Sequence, residues 1–125
     1  MLTLSILPEE FAICRLDADS PVPSWAFAGN LSSVTRTADE MSIVCEQKHA
    51  PEETRCDRDW LCLKVHGPLD FSLTGVMASL AVPLAEAEIS LFALSTFDTD
   101  YLMVKESNLE KAIRALTDAG HEIHR

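Results

Sequence analysis

Apolar and polar positions follow clear periods in the second half of the chain. Residues 60–66 alternate, with Leu61, Leu63 and Val65 on one face and Trp60, Cys62, Lys64 and His66 on the other, which predicts a β-strand. Gly67, Pro68, Leu69 and Asp70 end it. Leu73, Val76, Met77, Leu80 and Leu84 then recur at three- and four-residue spacing, the apolar stripe of an amphipathic helix. Asp70 or Ser72 is placed to cap its start, and Pro83, which has no N–H, is expected to kink or shorten its end. Residues 89–94 are nearly all apolar and predict a buried strand; residues 101–105 predict another beyond a polar loop. Ser107 and Glu110 have the spacing of a capping box. Leu109, Ala112, Ile113 and Leu116 form the face of a second helix, Gly120 is placed to end it in a left-handed conformation, and residues 121–124 predict a short last strand.

The first half is less regular. Residues 2–7 and 11–16 read as two strands joined at Pro8, Glu9 and Glu10. Ser20-Pro21-Val22-Pro23 breaks the chain, and residues 24–27 suit a single helical turn. Residues 33–37 and 41–46 predict a hairpin around Ala38, Asp39 and Glu40. Residues 47–59 are polar and contain Pro51, the best linker in the chain. From residue 60 the order is strand-helix-strand-strand-helix-strand. That order predicts an α+β, ferredoxin-like βαββαβ unit with two helices on one face of an antiparallel sheet. The expected division is a degenerate, helix-poor half over residues 1–50, a linker over 51–59 and the complete unit over 60–125, with the first half packed against it.

Composition narrows the function. The chain has 125 residues, 47% apolar and 24% charged, which marks a globular protein. A net charge of -10 repels phosphate backbones, so nucleic acid is disfavoured as a partner. No apolar run approaches the roughly 20 residues of a membrane span, and the first residues lack the basic and apolar regions of a secretory signal. The expected compartment is the cytoplasm. Cys14, Cys45 and Cys62 fall in apolar runs, where cysteine acts as a small hydrophobe, and Cys56 lies in a charged loop as an exposed thiol. No Cys-x-x-Cys pair or neighbouring histidine completes a zinc pattern, and no cofactor or disulfide is expected in a reducing compartment. His49, His66, His121 and His124 show no nucleophile–base spacing, and only His66 lies beside the Asp70 loop.

The most informative segment is Ser95-Thr96-Phe97-Asp98-Thr99-Asp100-Tyr101, between the last two central strands. Three hydroxyls and two carboxylates around one phenyl ring can hold a small charged molecule: acceptors for an ammonium, donors for a carboxylate and an aromatic wall. The plain alternative is a solvated turn. Read together with Gly67-Pro68-Leu69-Asp70-Phe71-Ser72-Leu73-Thr74-Gly75-Val76, Pro83-Leu84-Ala85-Glu86-Ala87 and Ile89-Ser90-Leu91-Phe92, it resembles the ACT domain. The similarity is to small bacterial tandem-ACT proteins related to the CASTOR-type arginine sensors. It extends over residues 2–46, including Thr35-Arg36-Thr37-Ala38-Asp39-Glu40.

The resemblance implies a non-catalytic regulatory or sensor protein that binds a free amino acid at paired domains, and a homodimer. It implies ligand-binding positions at Asp70, Phe71, Ser72, Leu73, Thr74 and Gly75, and at Thr96, Phe97 and Asp100. Many ACT domains carry glycine just before the second strand, where this chain has Glu88. A strand-to-helix loop offers N–H groups to a ligand carboxylate, and Asp70 and Asp100 suit an ammonium or a basic side chain. The acidic surroundings favour a cationic or neutral ligand. An assembly module with a vestigial pocket, and an enzyme, are the alternatives.

Overall fold

The computed structural model describes residues 1–70 and 73–125. Its elements are β1 (Thr3–Leu16), β2 (Ser33–Arg36), β3 (Met41–Glu46), β4 (Cys56–Val65), α1 (Val76–Glu86), β5 (Leu91–Ser95), β6 (Asp100–Lys105), α2 (Leu109–Asp118) and β7 (Glu122–His124). Single 3-10 turns occupy Ser24–Phe27, Gln47–His49 and Glu106–Asn108. The chain divides into two compact units: Met1–Pro8 with Leu61–Arg125, and Glu9–Trp60. Both divisions fall inside strands, β1 and β4, so the structure parts the chain differently from the expected 1–50, 51–59 and 60–125.

The larger unit is α+β, with strands in the order β7, β1, β4, β6, β5. β5 and β6 form an antiparallel hairpin from Leu91↔Val104 to Ser95↔Asp100. β7 pairs in parallel with the start of β1, Thr3↔Glu122 to Ser5↔His124. The first strand thus separates β7 from β4, an insertion into the simple four-stranded βαββαβ order. Leu80 and Leu84 of α1 and Ala112 and Leu116 of α2 are fully buried with Leu4, Leu63, Val65, Leu102 and Val104. Each large side chain buried there contributes about 1.5–3 kcal/mol relative to exposure.

The smaller unit is helix-poor. β1 pairs antiparallel with β3 from Phe11↔Glu46 to Leu16↔Met41, and β3 with β2 from Ser33↔Val44 to Arg36↔Met41. Its core gathers Ala12, Cys14, Ala26, Met41, Ile43 and Cys45. The buried Glu46 carboxylate accepts the Asn30 N–H at 2.5 Å, which satisfies it and ties down the loop before β2.

Several local expectations are corrected. β1 is one strand and not two. Pro8 is tolerated because it lies between the stretch paired with β7 and the stretch paired with β3, where no ladder bond on that edge asks for its N–H. β4 begins at Cys56, inside the expected linker, because Asp57 and Asp59 alternate outward while Trp60 turns in. The capping box at Ser107 and Glu110 does not form; a 3-10 turn precedes α2, whose N-cap is Asn108 with no side-chain cap bond. Cys14 and Cys56 are joined in a disulfide, because β1 and β4 are neighbours and bring 14 and 56 side by side, with the Arg15 N–H donating to the Arg55 carbonyl next to them. Cys45 and Cys62 are buried thiols outside the disulfide, as expected of small hydrophobes.

Pro83 neither ends nor shortens α1, which continues to Glu86. The bond that proline cannot donate would go to the Ser79 carbonyl, and His121 supplies it from Nε2 at 3.0 Å. A carbonyl only accepts, so Nε2 carries the proton and Nδ1 is left to accept the Leu2 N–H at 3.1 Å. His121 is buried and ties α1, the residue preceding β1 and the turn before β7 together. Both helices end in the same motif. In α2 the Gly120 N–H donates to Thr117 and the His121 N–H to Leu116, with Gly120 at φ +98, as the sequence predicts. In α1 the Glu88 N–H donates to Ala85 and the Ile89 N–H to Leu84, and Glu88 holds φ +59.

Candidate functional site

The loop joining β4 to α1 and the turn joining β5 to β6 are built against each other. The turn closes on itself: the Thr96 N–H donates to the Thr99 carbonyl at 2.9 Å, and the Thr99 N–H returns to Thr96 Oγ1 at 3.3 Å. Thr99 is buried, and its hydroxyl donates to the Val65 carbonyl at the end of β4 (2.7 Å). From the other side the Leu69 N–H donates to the Asp98 carbonyl at 2.6 Å. Gly67 is where the loop passes the turn. A Cβ there would lie 3.0 Å from the Asp98 carbonyl oxygen and 3.1 Å from the Thr99 Cβ, so a side chain would push the two segments apart.

Between them is a cavity of about 200 Å3, lined by Leu69, Asp70, Leu73 and Val76 on one side and by Ser95 to Asp100 on the other. That volume is on the scale of a free amino acid and below the ~300–1,000 Å3 of sites for larger ligands. Asp70, Leu73, Thr96, Phe97 and Asp100, all expected from the sequence, meet here. Thr74 and Gly75 are exposed and do not line it. Phe71 and Ser72 lie outside the described residues.

The local chemistry follows from the turn. Ser95 Oγ donates to Asp100 Oδ1 at 2.6 Å, which fixes one carboxylate oxygen and leaves the other for a second donor. Asp100 is half-buried while Asp70 and Asp98 are exposed, so three carboxylates border one small space. Phe97 is 79% exposed and Leu73 53% exposed, which gives the rim two apolar side chains turned to solvent.

Neither Asp70 nor Ser72 is the N-cap of α1. That position is Gly75 in the left-handed region at φ +77, and the helix starts at Val76. Gly75 has no side chain to occupy the first-turn N–H groups, and Val76 places that end of the helix at the cavity. Leu69, Val76, Ser95, Asp98 and Thr99 line it without having been expected as ligand positions, although the last three lie in the polar segment the sequence marks out. Ser95 had a signal, since it opens the polar segment and is paired with Asp100 once the hairpin register is known.

The family model of the ACT domain matches residues 55–118, and the model of a separate N-terminal domain matches residues 9–53. A solved protein of Agrobacterium tumefaciens is 40% identical, with a TM-score of 0.93 over 99% of this chain and 96% of that one. The Homo sapiens protein named cytosolic arginine sensor for mTORC1 subunit 1 is 38% identical over 58 residues. The match takes in 46% of this chain and spans 18% of that protein's length. The regulatory subunit of aspartate kinase from Thermus thermophilus shares the fold at 11% identity, with a TM-score of 0.67 over 94% of this chain and 97% of that one.

Proposed function

The chain belongs to the ACT-domain family, and from that premise we propose that it is a non-catalytic regulatory protein that binds a free amino acid. The observation that carries the reading is the cavity of amino-acid size between the β4–α1 loop and the β5–β6 turn, with Asp100 on its wall and the start of α1 at its edge. The ligand carboxylate meets backbone N–H groups around residues 73–76, where the helix end favours negative charge. The ammonium, or a basic side chain, meets Asp100 in a charge-assisted hydrogen bond. The arginine-sensor relative and the acidic wall support a cationic or neutral ligand. Binding acts by differential affinity for two states of an interface, which is all a ligand needs to shift a population.

We place the protein in the cytoplasm as a homodimer. β5 is the last strand of its sheet order and has no charge or proline along Leu91–Ser95, the features that normally keep an edge strand unpaired. Sedimentation showing only monomer at micromolar concentration counts against the dimer. The Cys14–Cys56 disulfide pulls against a reducing compartment, so thiol trapping in intact cells tests the placement. The function is tested by thermal shift with the twenty amino acids. A ligand at a hundredfold excess over its Kd adds about 2.7 kcal/mol. A flat panel refutes the reading and favours an assembly module.

A further inference from the structure

On the larger unit, alternation along β1 and β7 sends Leu4 and Ile123 toward the helices and Ser5, Glu122 and His124 to the opposite face. Ser5 and His124 are register partners. On the other side of β1, the His66 N–H donates to the Thr3 carbonyl at 2.8 Å, which brings His66 alongside Ser5. Three neighbouring strands therefore present two imidazoles together, although the residues are 58 positions apart in sequence (124 minus 66). The ring centroids are 5.6 Å apart with planes at 83°.

Each ring has one nitrogen engaged. His66 Nε2 lies 2.5 Å from Ser5 Oγ, and His124 Nε2 lies 2.7 Å from Glu122 Oε1. A neutral imidazole that donates from Nε2 carries its lone pair on Nδ1. A ring held from behind by a carboxylate or hydroxyl is also how proteins fix the tautomer and raise the basicity of a metal-binding histidine. Two imidazoles on one tetrahedral ion, with metal–nitrogen bonds of about 2.1 Å, put their centroids roughly 5 Å apart, close to the spacing found here.

We propose that His66 and His124 form a two-imidazole site for a divalent transition ion of the zinc, nickel or copper class. Solvent completes the coordination, and Ser5 and Glu122 orient the two rings. Imidazole selects these ions over magnesium and calcium, which require oxygen ligands. The net charge of -10 raises the local concentration of any divalent cation, so the histidines supply the selectivity.

The test uses the untagged full chain, titrated with zinc chloride by calorimetry and followed by thermal shift, with magnesium chloride in parallel. Zinc is expected to bind and to raise the melting temperature by joining β1, β4 and β7, and EDTA is expected to reverse the effect. His66→Asn and His124→Asn should each weaken zinc binding at least tenfold, while His49→Asn should not. Ser5→Ala and Glu122→Gln should each weaken it by about tenfold, as for other outer-shell partners. Copper added to the wild type should show two nitrogen ligands by electron paramagnetic resonance, a readout that stands even where a variant misfolds. No zinc binding at millimolar metal overturns the site. So does equal binding of magnesium, a copper spectrum without two nitrogens, or folded His66→Asn and His124→Asn variants that bind as the wild type does.

Discussion

Replacing Glu88 with glycine should make the protein more stable, although it removes a side chain and adds no contact. Glu88 is exposed and holds φ +59 at the end of α1, with the two backbone bonds that close the helix passing over it. A left-handed conformation costs a residue with a Cβ about 1–2 kcal/mol. Glycine removes that cost but gives back about 0.4–1 kcal/mol through its greater freedom in the unfolded chain. The net expectation is a gain of about 0.5–1 kcal/mol. With about 2.1 cal/mol/K of unfolding entropy per residue, a 125-residue chain should melt about 2–4 °C higher. Gly120 is the mirror experiment. It occupies the same place in α2 at φ +98, and a Cβ there would meet nothing within 4 Å. Gly120→Ala therefore isolates the backbone cost and should lower the melting temperature by a similar amount. Urea unfolding of both variants, with midpoints compared at an unchanged slope, reads the effect. A Glu88→Gly protein no more stable than the wild type, or a Gly120→Ala protein equally stable, would refute the reasoning.

Other consequences follow from single contacts. His121→Ala should cost roughly 1–3 kcal/mol, because the Leu2 N–H and the Ser79 carbonyl lose their partner. The cost should shrink in a Pro83→Ala background, where an N–H at residue 83 can reach Ser79, and urea unfolding of the double-mutant cycle measures it. Reducing the Cys14–Cys56 disulfide opens a loop of 42-residue separation and should destabilise the protein by about 4 kcal/mol on the chain-entropy account. Thiol titration in denaturant should find two free cysteines before reduction and four after; four at the outset contradicts the pairing. Burial pushes the Cys45 thiol above its ordinary value of 9.0, with Arg58 opposing and Glu46 assisting. The unfolded chain then releases the proton first, so this contribution is intact below the ordinary value and is lost as pH rises through the folded one. Cys45→Ala should flatten the alkaline fall in stability, and a wild type with no such fall refutes the assignment.

The sequence made the βαββαβ order legible because period and punctuation agree there. Leu61, Leu63 and Val65 alternate, α1 and α2 keep their stripes, and Gly120 sits where a helix must turn left-handed. The misses share a cause, since tertiary pairing decided them. Pro8 breaks a strand on local grounds, but nothing on that edge of β1 requires its N–H. Pro83 breaks a helix on local grounds, but a histidine 38 positions later replaces its bond (121 minus 83). The polar start of β4 looks like a linker until Cys56 finds Cys14. Asp70, Leu73, Thr96, Phe97 and Asp100, expected from the family resemblance, line one cavity because each of the two loops that carry them is contiguous. What local pattern cannot show is the fit between the loops, which depends on Gly67 passing the Asp98 carbonyl and on Thr99 reaching back to Val65.

The most direct test of the proposed function is to map the binding site by amide chemical-shift perturbation. The protein is titrated with the amino acid that most raises its melting temperature, alongside an Asp100→Asn variant. The account predicts shifts concentrated at residues 69–76 and 95–100, and a loss of affinity of roughly 1.5–3 kcal/mol in the variant, the range for a hydrogen bond to a charged group. Shifts centred elsewhere, or an Asp100→Asn protein that binds as tightly as the wild type, would contradict it.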